Sequence, residues 1–315
     1  MPCSPARPVR TGLAVLVALS AALTAAHAQE GDIPRVAEPV RRADTEGRGE
    51  MALTYQYQRA EDLVSEDFTI DSAPITTHLL DFAVSYRLND RWTLNAGLPF
   101  ISREWKGGPS HNPSNIVPPQ HDSEFVDDNH FHGFFQDLRL GASYLLLEEP
   151  VSLEAHLEYG IPASDYPFFA ASAVGRNLQT IEVGATAAYR PPFLPWYFSL
   201  RTGYVTTDPV LGVDTDAMRV TADATRFMDQ RIALNVFFTS KNGKGISPPQ
   251  TPDFSSELWY RHDQVIRHNY ANVGVGVNWA LGDRNVLNFT LLKMVHVEDV
   301  FELRDALSVT LSRPF

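Results

Sequence analysis

Polar and apolar residues alternate along most of the chain beyond its first fifty residues. The segment 80–87 reads LDFAVSYR, and the segment 151–159 reads VSLEAHLEY. Successive side chains of a β-strand point to opposite faces, so each segment predicts a strand with one apolar and one polar face. No helical periodicity appears, and the pattern therefore predicts an all-β protein.

Twelve segments carry this alternation, and short and long connections alternate between them. Residues 89–91 and 148–150 are short links, whereas residues 103–132 and 240–267 are long ones. This layout is typical of bacterial outer-membrane barrels. We predict a transmembrane antiparallel up-and-down β-barrel of about 12 strands over residues 49–315, with short periplasmic turns and long extracellular loops. The strands are expected near 51–57, 80–87, 92–100, 137–146, 151–159, 181–189, 196–204, 218–227, 232–238, 271–281, 286–294 and 306–315.

The apolar face could point inward, as in a soluble sandwich or lipocalin, or outward toward lipid. The face formed by Ile181, Val183, Ala185 and Ala187 carries mostly small side chains. They would fill a protein core poorly, but contact with lipid requires no close packing. Aromatic residues beside the short links share the parity of the apolar faces and predict a girdle at the membrane interface. The predicted girdle consists of Tyr86, Trp92, Tyr144, Tyr189, Trp196 and Trp279.

The last strand supports the same prediction. Leu307, Val309 and Leu311 alternate with polar residues up to a terminal Phe315, and only Pro314 departs from the pattern. This segment resembles the C-terminal signature of Gram-negative outer-membrane proteins, which the barrel-assembly machinery reads. Outer-membrane lipid and that machinery are therefore the expected partners.

The N-terminus predicts export. Two arginines precede an apolar run at 13–23, and Ala26-His27-Ala28 forms an A-x-A cleavage site. We predict a signal peptide over residues 1–28 and a periplasmic arm, or a plug of the barrel, over residues 29–48. Cys3, the one cysteine, would leave with the signal. The predicted location is the outer membrane.

The chain has 38 acidic and 26 basic residues and a formal net charge of −12, which argues against a nucleic-acid partner.

The polar faces of the strands would line the barrel interior. We predict a polar, net acidic lumen whose acidic excess favours cations or neutral solutes. The lumen is not rich in lysine, which argues against a pore selective for phosphate or other anions. The predicted lumen-lining residues are Asp81, Arg87, Asp137, Arg139, Glu154, His156, Glu158, Glu182, Arg201, Arg219 and Asp223.

Within this set, Glu154, His156 and Glu158 share one strand face, and Arg139 is expected near the level of Glu158. Two interpretations stay open: a ladder of paired charges that stiffens the wall, and a constriction that orients a passing solute.

The sequence gives no signature of a catalytic or cofactor site. His130 and His132 alternate in an acidic loop and are weak candidates for metal ligands, and an ordinary polar extracellular loop is the better explanation. A lipid hydrolase on a barrel would need a serine, a histidine and an orienting group in mutual reach, and no segment offers them locally. We predict neither enzymatic activity nor a cofactor.

The middle of the chain resembles a family of outer-membrane transporters associated with meta-pathway phenol degradation. The resemblance rests on GFFQDLRLGASY at 133–144 and on YGIP at 159–162. It implies a barrel channel for small, aromatic or apolar solutes and brings no catalytic residues. The leading hypothesis is an outer-membrane channel for small solutes. The alternatives are a plugged barrel that binds partners through its long loops, and a lipid hydrolase.

Overall fold

A computed structural model describes residues 48–65, 67–107, 124–248, 256–282 and 284–315. The predicted signal peptide, and the arm up to residue 47, lie outside these residues. Twelve long strands, the short strands β2 and β5 and two short helices make up the fold. The elements are β1 (Gly49–Val64), β2 (Thr69–Ile70), β3 (Ile75–Arg87), β4 (Trp92–Trp105), β5 (His132–Phe135), β6 (Asp137–Leu147), β7 (Ser152–Pro162), β8 (Thr180–Tyr189), β9 (Trp196–Thr207), β10 (Ala217–Phe227), β11 (Ile232–Gly243), α1 (Glu257–Tyr260), α2 (His262–Val265), β12 (Asn269–Leu281), β13 (Asn285–Glu298) and β14 (Val300–Pro314).

The twelve long strands form a closed ring. Each pairs antiparallel with its neighbours in chain order, and β14 pairs with β1 to complete the circle. A closed ring leaves no sheet edge, so it satisfies the backbone polar groups of its strands without water. The predicted fold, a 12-stranded antiparallel up-and-down barrel of the outer-membrane type, is therefore confirmed.

One end of the barrel carries the short turns and the other end carries the long connections. Gly49 and Phe315 exchange two backbone hydrogen bonds of 3.0 and 2.9 Å, so the described strands begin and finish together at the short-turn end. The sequence pattern also predicts a long link at 296–303, and this prediction is wrong. β13 and β14 continue to a turn of one residue, Asp299 (φ 57°), because β1 extends to Val64 and gives β14 a partner along its length.

The two faces of the barrel wall are inverted relative to a soluble barrel. Along β8, Glu182 is 2% exposed whereas its neighbour Val183 is 57% exposed. Inward side chains are mainly polar and buried, and outward side chains are mainly large and apolar. Within the described residues, neither helix has the length or apolar character needed to cross a membrane.

Candidate functional site

All eleven predicted lumen residues lie on the inward face of the wall. Seven are buried and four, Arg87, Arg201, Arg219 and Asp223, are half-buried. They occupy β3 and the consecutive strands β6 to β10. In the ring β4 lies between β3 and β6, and the Arg139 side chain crosses over Gly97 of β4 to reach Asp81. The charged wall is thus a continuous surface rather than scattered positions.

Glu182 is the centre of an ionic cluster on this wall. Its Oε1 accepts hydrogen bonds from Nε2 of His156 at 3.1 Å and from Nη2 of Arg201 at 2.8 Å, and Nη1 of Arg219 lies 3.4 Å from Oε2. A Cβ at Gly203 would lie 2.6 Å from Oε1 of Glu182, so the glycine leaves the space that the carboxylate fills. The cluster spans four strands and favours the paired-ladder interpretation for this part of the wall.

Arg139 forms a buried ion pair with Asp81. The two side chains are 2.5 Å apart at Nη2 and Oδ1 and both are buried. Arg139 faces Gly160 in the register of β6 and β7, whereas Glu158 faces Gly141, so Arg139 lies two residues from the level of Glu158. Leu147 faces Leu153, so the turn is centred on Pro150 and the residues that face β6 lie further along β7 than the turn at 148–150 predicts.

Removing one partner of the Asp81–Arg139 pair should destabilise the barrel strongly. We expect Arg139→Met to lower the free energy of unfolding by about 3–5 kcal/mol, because it removes the cation that offsets a buried carboxylate. The double variant Asp81→Asn/Arg139→Met should lose less than the single variant. Urea titration of the protein in lipid vesicles measures the free energy of unfolding of each variant. If the loss in the double variant equals the sum of the losses in Arg139→Met and Asp81→Asn, the pairing is contradicted.

An inner loop, residues 163–179 between β7 and β8, folds into the barrel at the long-loop end. Tyr166 and Val174 pack against Leu79 and Ile101, which point inward from β3 and β4. The hydroxyl of Tyr166 donates a hydrogen bond of 2.6 Å to Oδ1 of Asp137. The inner loop therefore has a packed apolar base on the lumen wall.

Asp127, from the connection between β4 and β5, fixes the middle of the inner loop. Its carboxylate accepts hydrogen bonds from the backbone N–H groups of Ala171 and Ser172, both at 2.9 Å, and from the Ser172 hydroxyl at 2.7 Å. Val126 packs with Ala170 and Ala173 of the loop. Asp127 is fully buried, so this contact excludes water from the loop junction.

A helical loop, residues 244–268 between β11 and β12, packs against the inner loop. Nη2 of Arg176 donates to the carbonyl of Ile266 at 2.6 Å, and Nε2 of Gln264 donates to the carbonyl of Arg176 at 2.7 Å. Phe169 of the inner loop contacts Trp259 and Tyr260 of the helical loop. Three connections thus meet inside the mouth of the barrel.

The side of the ring opposite the charged wall is apolar at its long-loop half. Phe237, Tyr270 and Leu292 form a buried cluster with further residues of β13 and β14. The ring of Phe237 occupies the space over Gly274, where a Cβ would lie 2.0 Å from the ring. The lumen therefore has a charged side and an apolar side. The remaining members of the cluster are Met294, Val300, Leu303 and Ala306, with Val297 packed against them.

The six predicted girdle residues all lie beside the short turns with outward parity. The rings of Trp92 and Tyr144 are 4.9 Å apart on paired strands, and Arg91 donates a 3.1 Å hydrogen bond to the Tyr144 hydroxyl. This hydrogen bond raises the pKa of Arg91.

Outward aromatic residues also lie at the long-loop end of the barrel. The sequence prediction did not include them, although they have the same parity as the residues beside the short turns. They are Tyr55, Tyr57, Phe131, Phe135, Tyr159 and Tyr204.

The C-terminal residues of the predicted assembly signal form part of the outer surface. Leu307, Leu311 and Phe315 are exposed and Val309 is half-buried on β14. The ring of Phe315 lies over Gly49, where a Cβ would approach it to 2.3 Å. The assembly residues therefore border the seam where the barrel closes.

The histidines of the acidic loop bind a neighbouring aspartate. Nε2 of His132 lies 2.8 Å from Oδ1 of Asp128, and Nδ1 of His130 lies 3.0 Å from the Asp128 carbonyl. The contact with His132 lowers the pKa of Asp128. Among the described residues, no group of three or more acidic, histidine or cysteine side chains could hold a metal ion.

Comparison with solved structures supports the fold. An outer membrane channel from Pseudomonas putida F1 is similar with a TM-score of 0.65 at 17% identity, covering 86% of this chain and 96% of that one. Two further structures are less similar. One is the NanC porin, with a TM-score of 0.49 at 7% identity, covering 84% of this chain and 100% of that one. The other is the translocator domain of the autotransporter NalP from Neisseria meningitidis, with a TM-score of 0.49 at 10% identity, covering 86% of this chain and 90% of that one. No protein-family model matches the sequence, and no curated protein matches it either. The likeness to an outer-membrane channel confirms the predicted resemblance at the level of the fold.

Four basic residues at the long-loop end were not singled out from the sequence. Arg103 and Lys241 have the parity of the polar faces of β4 and β11, so this signal could have found them. Arg176 and His268 lie in the connections, and no strand pattern marks them. All four are buried.

Proposed function

We propose that this protein is an outer-membrane channel that passes small solutes through its polar lumen. The observation that carries the proposal is the inverted wall, with buried charges inside a closed ring and large apolar side chains outside. A surface of this kind is matched to lipid, and a charged interior is matched to water. The short-turn end would face the periplasm after export by the signal peptide, and the docked loops would narrow the extracellular mouth.

A single-channel recording tests the proposal. The mature protein, refolded and shown to be heat-modifiable, is added to a planar bilayer. We expect discrete steps of constant conductance. Absence of current from correctly folded barrels would overturn the channel, and would favour the alternative of a plugged barrel that uses its loops to bind a partner.

Selectivity should depend on the acidic side chains of β7. Glu154 lies near the short turns and Glu158 lies further up the same inward face of β7, where it faces Glu182 of β8. We expect these two acids to contribute to any preference for cations, because both carboxylates lie on the lumen wall. The double variant Glu154→Gln/Glu158→Gln should shift the reversal potential in a salt gradient toward anions. An unchanged reversal potential would show that these side chains do not line the conducting path.

A further inference from the structure

We propose that the long-loop half of the lumen contains a binding site for a small organic anion, in which a carboxylate meets basic side chains and an apolar body meets the apolar wall. The basic side chains are Arg103, Arg176, Lys241 and His268. This inference rests on the proposed channel function, because it names a solute class for the same lumen.

The four basic side chains come from different parts of the barrel and lie close together in the long-loop half of the lumen. Arg103 belongs to β4 and Lys241 to β11, which lie six positions apart in the ring of twelve and therefore on opposite walls. Arg176 belongs to the inner loop, and His268 is the last residue of the helical loop. The contact of Arg176 with Ile266 joins the two loops, and Arg103 donates a hydrogen bond to the carbonyl of Ala173. Convergence from opposite walls places the cluster across the path of a solute.

His268 is the member that points most directly to a ligand. Its side chain is 3% exposed, and Nδ1 has no hydrogen-bond partner within the described part of the chain. Burial, together with the cations of Arg176, Lys241 and Arg103, holds the pKa of His268 well below its usual value. A neutral imidazole among three cations can donate one N–H, and a carboxylate is an acceptor that suits the whole set.

The neighbouring wall adds a further positive charge. Lys241 lies directly opposite Arg219 in the register of β10 and β11, with both side chains on the inward face. Like charges in directly opposed positions of a sheet destabilise it. Arg219 contacts Glu182 at 3.4 Å, which offsets part of this repulsion. A bound anion would offset more of it, so the wall itself favours occupancy by negative charge.

The apolar wall selects an organic anion over an inorganic one. Lys241 pairs with Tyr270 across β11 and β12, and Tyr270 belongs to the same buried cluster as Phe237, Leu292 and Met294. Cations therefore adjoin a surface that can bury rings or alkyl chains. Such sites combine a mostly apolar lining with a few placed polar groups. Arg219 adjoins the cluster, and Arg201 lies nearer the short turns on the neighbouring strand, so both would lie along the path of a released carboxylate.

Calorimetric titration of the whole mature protein in detergent tests the site without requiring conductance. The probe is benzoate, and benzyl alcohol and inorganic phosphate serve as comparison ligands. We expect saturable binding of benzoate that is at least tenfold tighter than that of either comparison ligand. Equal binding of benzoate and benzyl alcohol would overturn the role of the cations, and equal binding of phosphate would overturn the role of the apolar wall.

Two matched substitutions separate the cluster from general surface charge. Lys241→Met should weaken benzoate binding at least tenfold. Lys244→Met, three residues further along at an exposed ion pair with Asp216, should leave it unchanged. Equal effects of the two variants, or none from Lys241→Met, would overturn the site. A heat-modifiability assay confirms folding, and His268→Ala provides a second variant with the same expectation. Because binding is measured in detergent, its failure is distinct from a failure to conduct.

Discussion

Replacing Leu157 by arginine should destabilise the barrel in lipid. Leu157 is 52% exposed on the outward face of β7, between Ala142 and Val183 on the neighbouring strands. An arginine near the bilayer midplane costs about 2–4 kcal/mol in a transmembrane barrel. We expect a lower folded yield in vesicles and a free energy of unfolding reduced by about this amount. Urea titration with a heat-modifiability assay measures both.

The control places the same charge nearer the interface. Leu146 is also exposed on the outward face, but it lies next to the short turn that follows β6. The cost of a lipid-facing charge falls to about 0–1 kcal/mol near the interface, so Leu146→Arg should fold almost normally. A soluble barrel would accept arginine equally well at both positions, and that result would contradict the membrane assignment.

Removing the inner loop should increase the current through the channel several-fold. Residues 166–174 pack on the inward wall at Leu79 and Ile101 and hold the helical loop through Phe169. A short glycine–serine linker in their place would remove the packed base and the Asp127 junction together. We expect larger single-channel steps from the variant, measured in planar bilayers under the same salt conditions.

The matched control shortens the connection between β9 and β10. Residues 208–214 are mostly exposed and include a small bridge between Val210 and Val213, so they contribute little to the docked loops. The same linker there should leave the conductance unchanged. An unchanged conductance in the inner-loop variant would show that these loops do not narrow the conducting path.

The sequence predicts the barrel because the alternation in each strand depends on that strand alone. Two facing environments of opposite polarity impose a period of two on every strand, and that period is readable without knowing any partner strand. Glu182 and Val183 show the rule in one step, since these adjacent residues lie on the polar inward face and the apolar outward face respectively. The strand ends were less predictable, because the extension of β1 to Val64 depends on its pairing with β14.

The docked loops could not be predicted in the same way. Leu79, Ile101 and Phe237 are apolar residues at inward positions, and the alternation alone treats them as exceptions. Their partners lie in the inner loop or on distant strands, so only the folded chain explains them. The polar faces contain few lysines, which argued against a preference for anions. The structure instead gathers Arg103 and Lys241 from opposite walls, and proximity in three dimensions creates the basic cluster.

Cysteine accessibility tests the central claim, that solutes pass through the polar interior while the apolar face meets lipid. Thr186 is 7% exposed on the inward face of β8, and Val183 is 57% exposed on the outward face of the same strand. In planar bilayers, a charged water-soluble thiol reagent should reduce the current of Thr186→Cys and leave Val183→Cys unaffected. Reaction at position 183 with no effect at position 186 would contradict the account.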